Sequence, residues 1–336
     1  FLALNTQNLP DPTIKKPSTY MDVVTYTGTG AALTPTSSLG FSPDLVWIKS
    51  RSAATDHALY DAVRGVEKRL ESNTTDAEVT SDGGVTALNS NGFTLGTLAQ
   101  VNTNTATYAA WCWDESATPG FDIVTYTGDG TSGRDISHSL GVAPSMIITK
   151  ARNDATYSWH TWHVGIGADY YLGLNTTSAR DNSVNIFPYA GITSTTFRTA
   201  TSAIRYNNLT SVTYVAYLWS EVAGFSKFGS YTGNNSTDGP FVHCGFAPKW
   251  IMIKSSTNSA TPWQIFDSVR ETGNTIEQTL VANGSNAEPY DTASPVDFLS
   301  NGFKLRGSSS SYNNYNTGTW IFAAFAETPA KYSLAR

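Results

Sequence analysis

One ordered set of residues occurs three times in this chain, and it restricts the possible folds more than any other feature. Tyr26-Thr27-Gly28, Tyr126-Thr127-Gly128 and Tyr231-Thr232-Gly233 each open a unit. A Gly-x-x-Pro corner follows in each: Gly40 to Pro43, Gly141 to Pro144, Gly245 to Pro248. After the corner comes a run dominated by apolar residues, closed by Lys49, Lys150 or Lys254. The opening tyrosines stand 100 and then 105 positions apart. Solenoid and propeller repeats are much shorter, and a spacing of roughly 100 residues is the length of a small domain. The pattern therefore predicts three tandem domains.

Composition narrows the class. Only 14% of residues are charged and 12% are aromatic, which suits short antiparallel strands joined by Gly, Asn and Pro turns rather than long surface helices. The predicted fold class is all-β, with three tandem antiparallel β-sandwich (jelly-roll-like) domains from an internal triplication. The expected boundaries are an N-terminal linker or arm at 1–20 and repeats at 21–116, 117–223 and 224–336, the last with a C-terminal tail. In the first repeat Leu45-Val46-Trp47-Ile48 is apolar throughout, as in a strand buried on both faces. Thr107 to Trp113, Thr213 to Trp219 and Thr319 to Phe325 are the closing strands. The short joints Ser116 to Gly120 and Val222 to Gly224 predict that neighbouring repeats pack.

The net charge of −6 and pI near 5.3 argue against a nucleic-acid partner, which needs a clustered basic face. No apolar run approaches the roughly 20 residues that cross a bilayer, so no membrane insertion is expected. Phe1-Leu2-Ala3-Leu4-Asn5 has neither a basic head nor a long apolar stretch, and it lacks an initiator Met; the chain reads as processed or as a piece of a longer one. Cys112 and Cys244 occupy positions that are apolar in the other repeats, which predicts buried free thiols.

The search for chemistry returns structural readings. Trp159-His160-Thr161-Trp162-His163 invites a metal or sugar-site assignment, but in register it matches core-strand positions, and His160 lacks ligand-spaced partners. It is expected to be a packed strand with edge histidines. Asp61 with Arg64, and Asp267 with Arg270, are predicted ion pairs that fix a corner; the middle repeat has His163 and Ile166 instead. The recurring lysines are expected to reach the rim or to pair with a neighbouring carboxylate. Asp56, Asp61, Glu67 and Glu78 are glycosidase-type carboxylates by type, yet the middle repeat lacks counterparts. No Ser/His/Asp arrangement or phosphate loop is legible. No catalytic residue, cofactor or metal site is therefore assigned. The remaining candidates for ligand contact are loop residues rich in Tyr and Asn: Tyr170, Tyr171, Tyr206, Asn207, Tyr312, Asn313 and Tyr315, with Ser308 to Ser311 beside them. Aromatic faces stack on sugars, and amides bond hydroxyls or protein surfaces.

Phe41-Ser42-Pro43-Asp44-Leu45-Val46-Trp47-Ile48-Lys49, His57 to Gly65 and Asn91-Gly92-Phe93 resemble the repeated β-module of bacteriophage tail-fibre-like virion structural proteins of marine and cyanophage type. Ala3 to Pro10 and the three-unit layout fit the same group. The resemblance implies a non-enzymatic virion surface protein, a tail fibre or appendage that mediates host attachment through loops binding cell-surface glycan or protein. It also implies other virion proteins as partners and a homo-oligomer, with a trimer favoured, although one triplicated chain could build a threefold head alone. Capsid decoration or a head fibre, a surface-polysaccharide hydrolase and a free lectin are the alternatives.

Overall fold

The computed structural model describes residues 9–35, 39–183, 186–200, 206–289, 293–307, 312–315 and 318–333. The chain is nearly all-β, and all its ladders among these residues are antiparallel. The first segment contributes β1 (Met21–Thr27), β2 (Leu45–Ser50), β3 (Ala58–Asp61), β4 (Lys68–Arg69), β5 (Val79–Thr80), β6 (Val85–Asn89), β7 (Gly92–Leu95), the short helix α1 (Ala99–Asn102) and β8 (Thr107–Trp113). The middle segment contributes β9 (Phe121–Thr127), β10 (Asp135–Ser137), β11 (Met146–Ala151), β12 (His160–His163), β13 (Leu172–Gly173), β14 (Thr196–Arg198) and β15 (Thr213–Trp219). The third contributes β16 (Ser226–Thr232), β17 (Phe241–His243), β18 (Phe246–Ser255), β19 (Gln264–Asp267), β20 (Leu280–Val281), β21 (Val296–Leu299), β22 (Gly302–Leu305) and β23 (Thr319–Pro329).

Each segment builds one main sheet in the same order: β1-β8-β2-β3, then β9-β15-β11-β12-β13, then β16-β23-β18-β19-β20. A smaller sheet lies outside each of them: β6-β7, β10-β14 and β17-β22-β21. The period-two alternation of strand side chains separates two cores. In β2 and β8, Val46, Ile48, Tyr108, Ala110 and Cys112 point outward into a cluster shared with Val85, Phe93 and Leu95. Leu45, Trp47, Ala109, Trp111 and Trp113 point inward. β2 is therefore buried on both faces along its whole length.

The inward faces of all three main sheets meet in one continuous apolar core. Trp113, Trp219 and Phe325 occupy the same place on the three closing strands, and they converge there. The Trp113 ring lies 6.2 Å from that of Trp219 and 5.8 Å from that of Phe325, mostly edge to face. Trp250 fills the remaining space, 5.6 Å from Trp113 and 5.7 Å from Phe325. Such aromatic pairs add about 0.5–1.5 kcal/mol each beyond area burial.

The segments are joined around this core by one backbone bond made three times. Glu78 N donates to Arg152 O at 2.6 Å, Arg180 N to Ser256 O at 2.8 Å, and Glu288 N to Arg51 O at 2.8 Å. These bonds link first to second, second to third and third back to first, so the three segments close a ring. The expected boundaries near 116 and 223 fall at short connections, and the core runs across them. The arm packs as well: Ile14 and Pro17 are buried, and Tyr20 meets Phe225 edge-on at 6.3 Å. No helix among the described residues is long and apolar enough to cross a membrane.

Candidate functional site

The recurring motif is explained by packing. Tyr26, Tyr126 and Tyr231 stack on Tyr108, Tyr214 and Trp320, nearly parallel at 5.0, 5.0 and 6.4 Å. Their hydroxyls donate to the carbonyls of Val101, Asn207 and Asn313. The following glycines allow two backbones to touch: a Cβ on Gly28 would lie 2.3 Å from Thr103 O, and one on Gly128 would lie 2.1 Å from Leu209 O. A buried asparagine locks each turn. Asn102, Asn208 and Asn314 are fully buried and accept from Thr29 N, Asp129 N and Asn234 N. Their amides donate to Ala31 O, Thr131 O and Ser236 O. The signal for them was an Asn five positions before each closing strand.

The predicted corner pairs form and are buried. Arg64 Nε donates to Asp61 Oδ2 and Arg270 Nε to Asp267 Oδ2, both at 2.5 Å. Each arginine continues to a glutamate that also binds the next segment. Arg64 pairs with Glu78 at 2.9 Å, and Arg152 grips Glu78 with two hydrogen bonds. Arg270 pairs with Glu288, which accepts from Arg51 Nε at 2.8 Å. Tyr217 Oη donates to Asp61 at 2.7 Å and Trp111 Nε1 to Asp267 at 3.0 Å, again across segments. The middle segment solves the same corner differently: His163 Nε2 meets Phe322 O at 3.0 Å, and Arg180 donates to Ile166 O.

Two expectations are corrected. The recurring lysines neither reach the rim nor pair with carboxylates. Lys49, Lys150 and Lys254 are buried, and their amines donate to backbone carbonyls next in the chain, at Ser50, Ala151 and Ser255. Lys150 and Lys254 also reach the preceding segment, at Thr75 O and Thr177 O. Strand alternation turns these residues inward, so the stem cannot reach solvent. Burial pushes the amines down, to about 8 for Lys49 and Lys150 and about 7 for Lys254. The histidines of 159–163 are likewise buried rather than at an edge, because β12 lies between β11 and β13. Burial holds His160 down at about 3 and His163 at about 4, so both are neutral. His57 is buried too: it accepts from Trp47 Nε1 on Nδ1 at 2.8 Å, so its Nε2 carries the proton given to Val281 O at 2.9 Å. Cys112 and Cys244 are buried free thiols.

Of the seven loop candidates, the fold brings Tyr171 and Tyr206 together. They line an open cleft of about 390 Å³ on the middle segment, with Tyr157, His160 and Asp181. His160 stacks on Tyr206 at 5.7 Å, 9° from parallel, and meets the edge of Tyr171 at 5.6 Å. Tyr157 leans on Tyr206 at 5.3 Å. Tyr171 Oη donates to Asp181 Oδ2 at 3.1 Å. The other candidates lie elsewhere. Tyr170 has its face covered by the Arg180 guanidinium at 4.3 Å. Asn207 and Asn313 are fully buried, a correction to their reading as surface contacts: their amides donate to Ile186 O at 3.0 Å and Ser294 O at 2.7 Å and hold loops in place. Tyr312 and Tyr315 are exposed on the third segment. Ser308 to Ser311 and residues 1–8 lie outside the described residues. Sequence reasoning set the His160 segment aside as a packed strand and missed Asp181, whose spacing to its neighbours is not ligand-like.

A single family model spans residues 16–329, covering all three main sheets, and is described as a domain of unknown function, DUF7483. The chain belongs to this family. No curated protein and no solved structure matches it. The DUF7483 match treats the three segments as one unit, as the shared core does.

Proposed function

We propose that the protein is a bacteriophage virion surface component, non-enzymatic, that attaches to host cell-surface glycan or protein through the middle segment. We further propose that its three segments are copies of one β-sandwich unit. The repeated strand order and the contacts made three times around the ring support this origin. The observation that carries the attachment reading is the solvent-open tyrosine cleft built on a body with one continuous buried core. A surface exposed to the environment benefits from such a body, and a recognition site gains from rigid walls.

The occupation of Asp61, Glu78 and Asp267 by arginines weighs against the hydrolase reading, since a glycosidase needs two carboxyl groups free to face one bond. Because the ring closes within one chain, threefold geometry needs no second copy. The homotrimer is therefore an additional assembly step, open to test by solution mass. Capsid decoration is the second reading, favoured by the near-equivalent contacts around the ring, which suit a site of local threefold symmetry. Labelled antibody on purified virions tests both: tail or fibre label with binding of the pure protein to host cells supports attachment. Label spread over heads at capsid copy number supports decoration, and absence from the particle overturns both.

A further inference from the structure

The cleft occupies a position that exists three times, and the three versions are filled differently. Register defines the equivalence. Leu59 bridges Leu70, Thr161 pairs with Leu172 and Ile265 pairs with Leu280, so Arg69, Tyr171 and Thr279 correspond. Ala58, His160 and Gln264 correspond on the strand opposite. Gln100, Tyr206 and Tyr312 each stand two residues before the buried turn asparagine.

In the first segment side chains close this position. The Gln100 amide donates to Asp56 O, His57 O and Glu71 Oε1 at 3.1–3.2 Å, and its carbonyl accepts from Arg69. Arg69 lies also within 3.5 Å of Glu71 and Asp82. In the middle segment these plugging groups are replaced by rings. Tyr206 stands for Gln100, Tyr171 for Arg69, and His160 for the small Ala58. None of the three reproduces the polar plug, and the cleft is what remains open. In the third segment Thr279 and Gln264 are buried and supply no ring to either wall, while Tyr312 is 49% exposed.

The walls define the ligand's chemistry. Tyr157, Tyr171 and Tyr206 supply aromatic rings to the lining, the buried His160 packs against two of them, and Thr156, Ser158, Thr176 and Ser178 add hydroxyl-bearing side chains. Among the described residues of the lining, Asp181 is the single charged side chain. Its carboxylate accepts from Ser183 N, Ser183 Oγ, Tyr171 Oη and the Asn182 backbone, which holds it in place in the lining. An anionic ligand would meet the like charge of that carboxylate. A ring with apolar C–H faces and an edge of hydroxyls satisfies both kinds of wall. We propose that this cleft binds an uncharged pyranose, at one site per chain, on the middle segment alone.

The inference rests on the attachment reading only for where the sugar is displayed. It is tested with the full chain by saturation-transfer NMR and titration calorimetry. The probes are methyl glucoside, galactoside and mannoside, N-acetylglucosamine and their disaccharides, against glucuronate, sialic acid, glucosamine and choline. The expected result is binding of at least one neutral sugar, weakened at least tenfold in Tyr206→Ala and Tyr171→Ala and retained in Tyr206→Phe and Gln100→Ala. Thermal melts of each variant separate lost binding from lost folding. Binding confined to acidic or amine probes, binding of none, or neutral-sugar binding untouched by Tyr206→Ala in a folded variant overturns it. Sugar binding by a protein absent from virions would instead overturn the attachment reading and leave this one standing.

Discussion

At the scale of single residues, what matters is where charge has been taken out of water. Lys254 keeps its amine on Ser255 O and Thr261 Oγ1 at 2.8 and 2.9 Å, and burial lowers its pKa from 10.5 to about 7. A lysine with a lowered folded pKa releases its proton in the native state first. Between pH 7 and about 10 the unfolded chain then holds more protons, and stability rises with pH. Lys49 and Lys150 add to the same slope from about pH 8. Buried Tyr126, Tyr217 and Cys112 have raised values and oppose it once the unfolded chain begins to lose those protons, near pH 9. Melting temperature should therefore climb from pH 7 to 9, and the climb should be smaller in Lys254→Met. The corner arginines behave differently. Arg64→Ala strands Asp61 and Tyr217 in the core and should cost about 3–5 kcal/mol in urea unfolding. Arg198→Ala removes a half-exposed partner of Asp135 and should cost under about 1 kcal/mol.

At the scale of elements, the turn before each closing strand is the repeated device. Asn208→Ala leaves Asp129 N and Thr131 O without their partner, and equilibrium unfolding should show a loss of about 1–3 kcal/mol. Gly128→Ala should cost at least as much, because the new methyl collides with the Leu209 carbonyl. These elements also show what could be read in advance. The strands at 45–50 and 107–113 were legible because apolar runs and alternation are local properties of the chain. The Asp61–Arg64 pair was legible because three residues at a strand end leave few other geometries. The destination of the lysines was not legible: whether a stem faces solvent or a neighbouring sheet depends on which segment packs opposite. Asn207 was misread because an Asn-rich stretch looks like a loop surface, whereas its amide is held by Ile186 and Ala200, 21 and 7 residues away. Half of the cleft was legible as tyrosines. His160 was legible only as part of a packed strand, because the rings it meets, Tyr171 and Tyr206, come from elsewhere in the segment.

At the scale of the whole molecule, three sheets share one interior and close on themselves. Trp113 stands at the meeting point, touching Trp219, Trp250 and Phe325. Trp113→Ala should cost about 3–5 kcal/mol, and the loss should reach all three segments because each contributes to that contact. Cross-segment bonds such as Tyr217 to Asp61 and Trp111 to Asp267 couple the corners in the same way. With a common core, the three segments should unfold as one cooperative body. Calorimetric unfolding of the full chain tests it most directly. One transition is expected, with calorimetric and van't Hoff enthalpies in agreement; separate transitions, each the size of a domain of roughly 100 residues, would rule out a shared cooperative core.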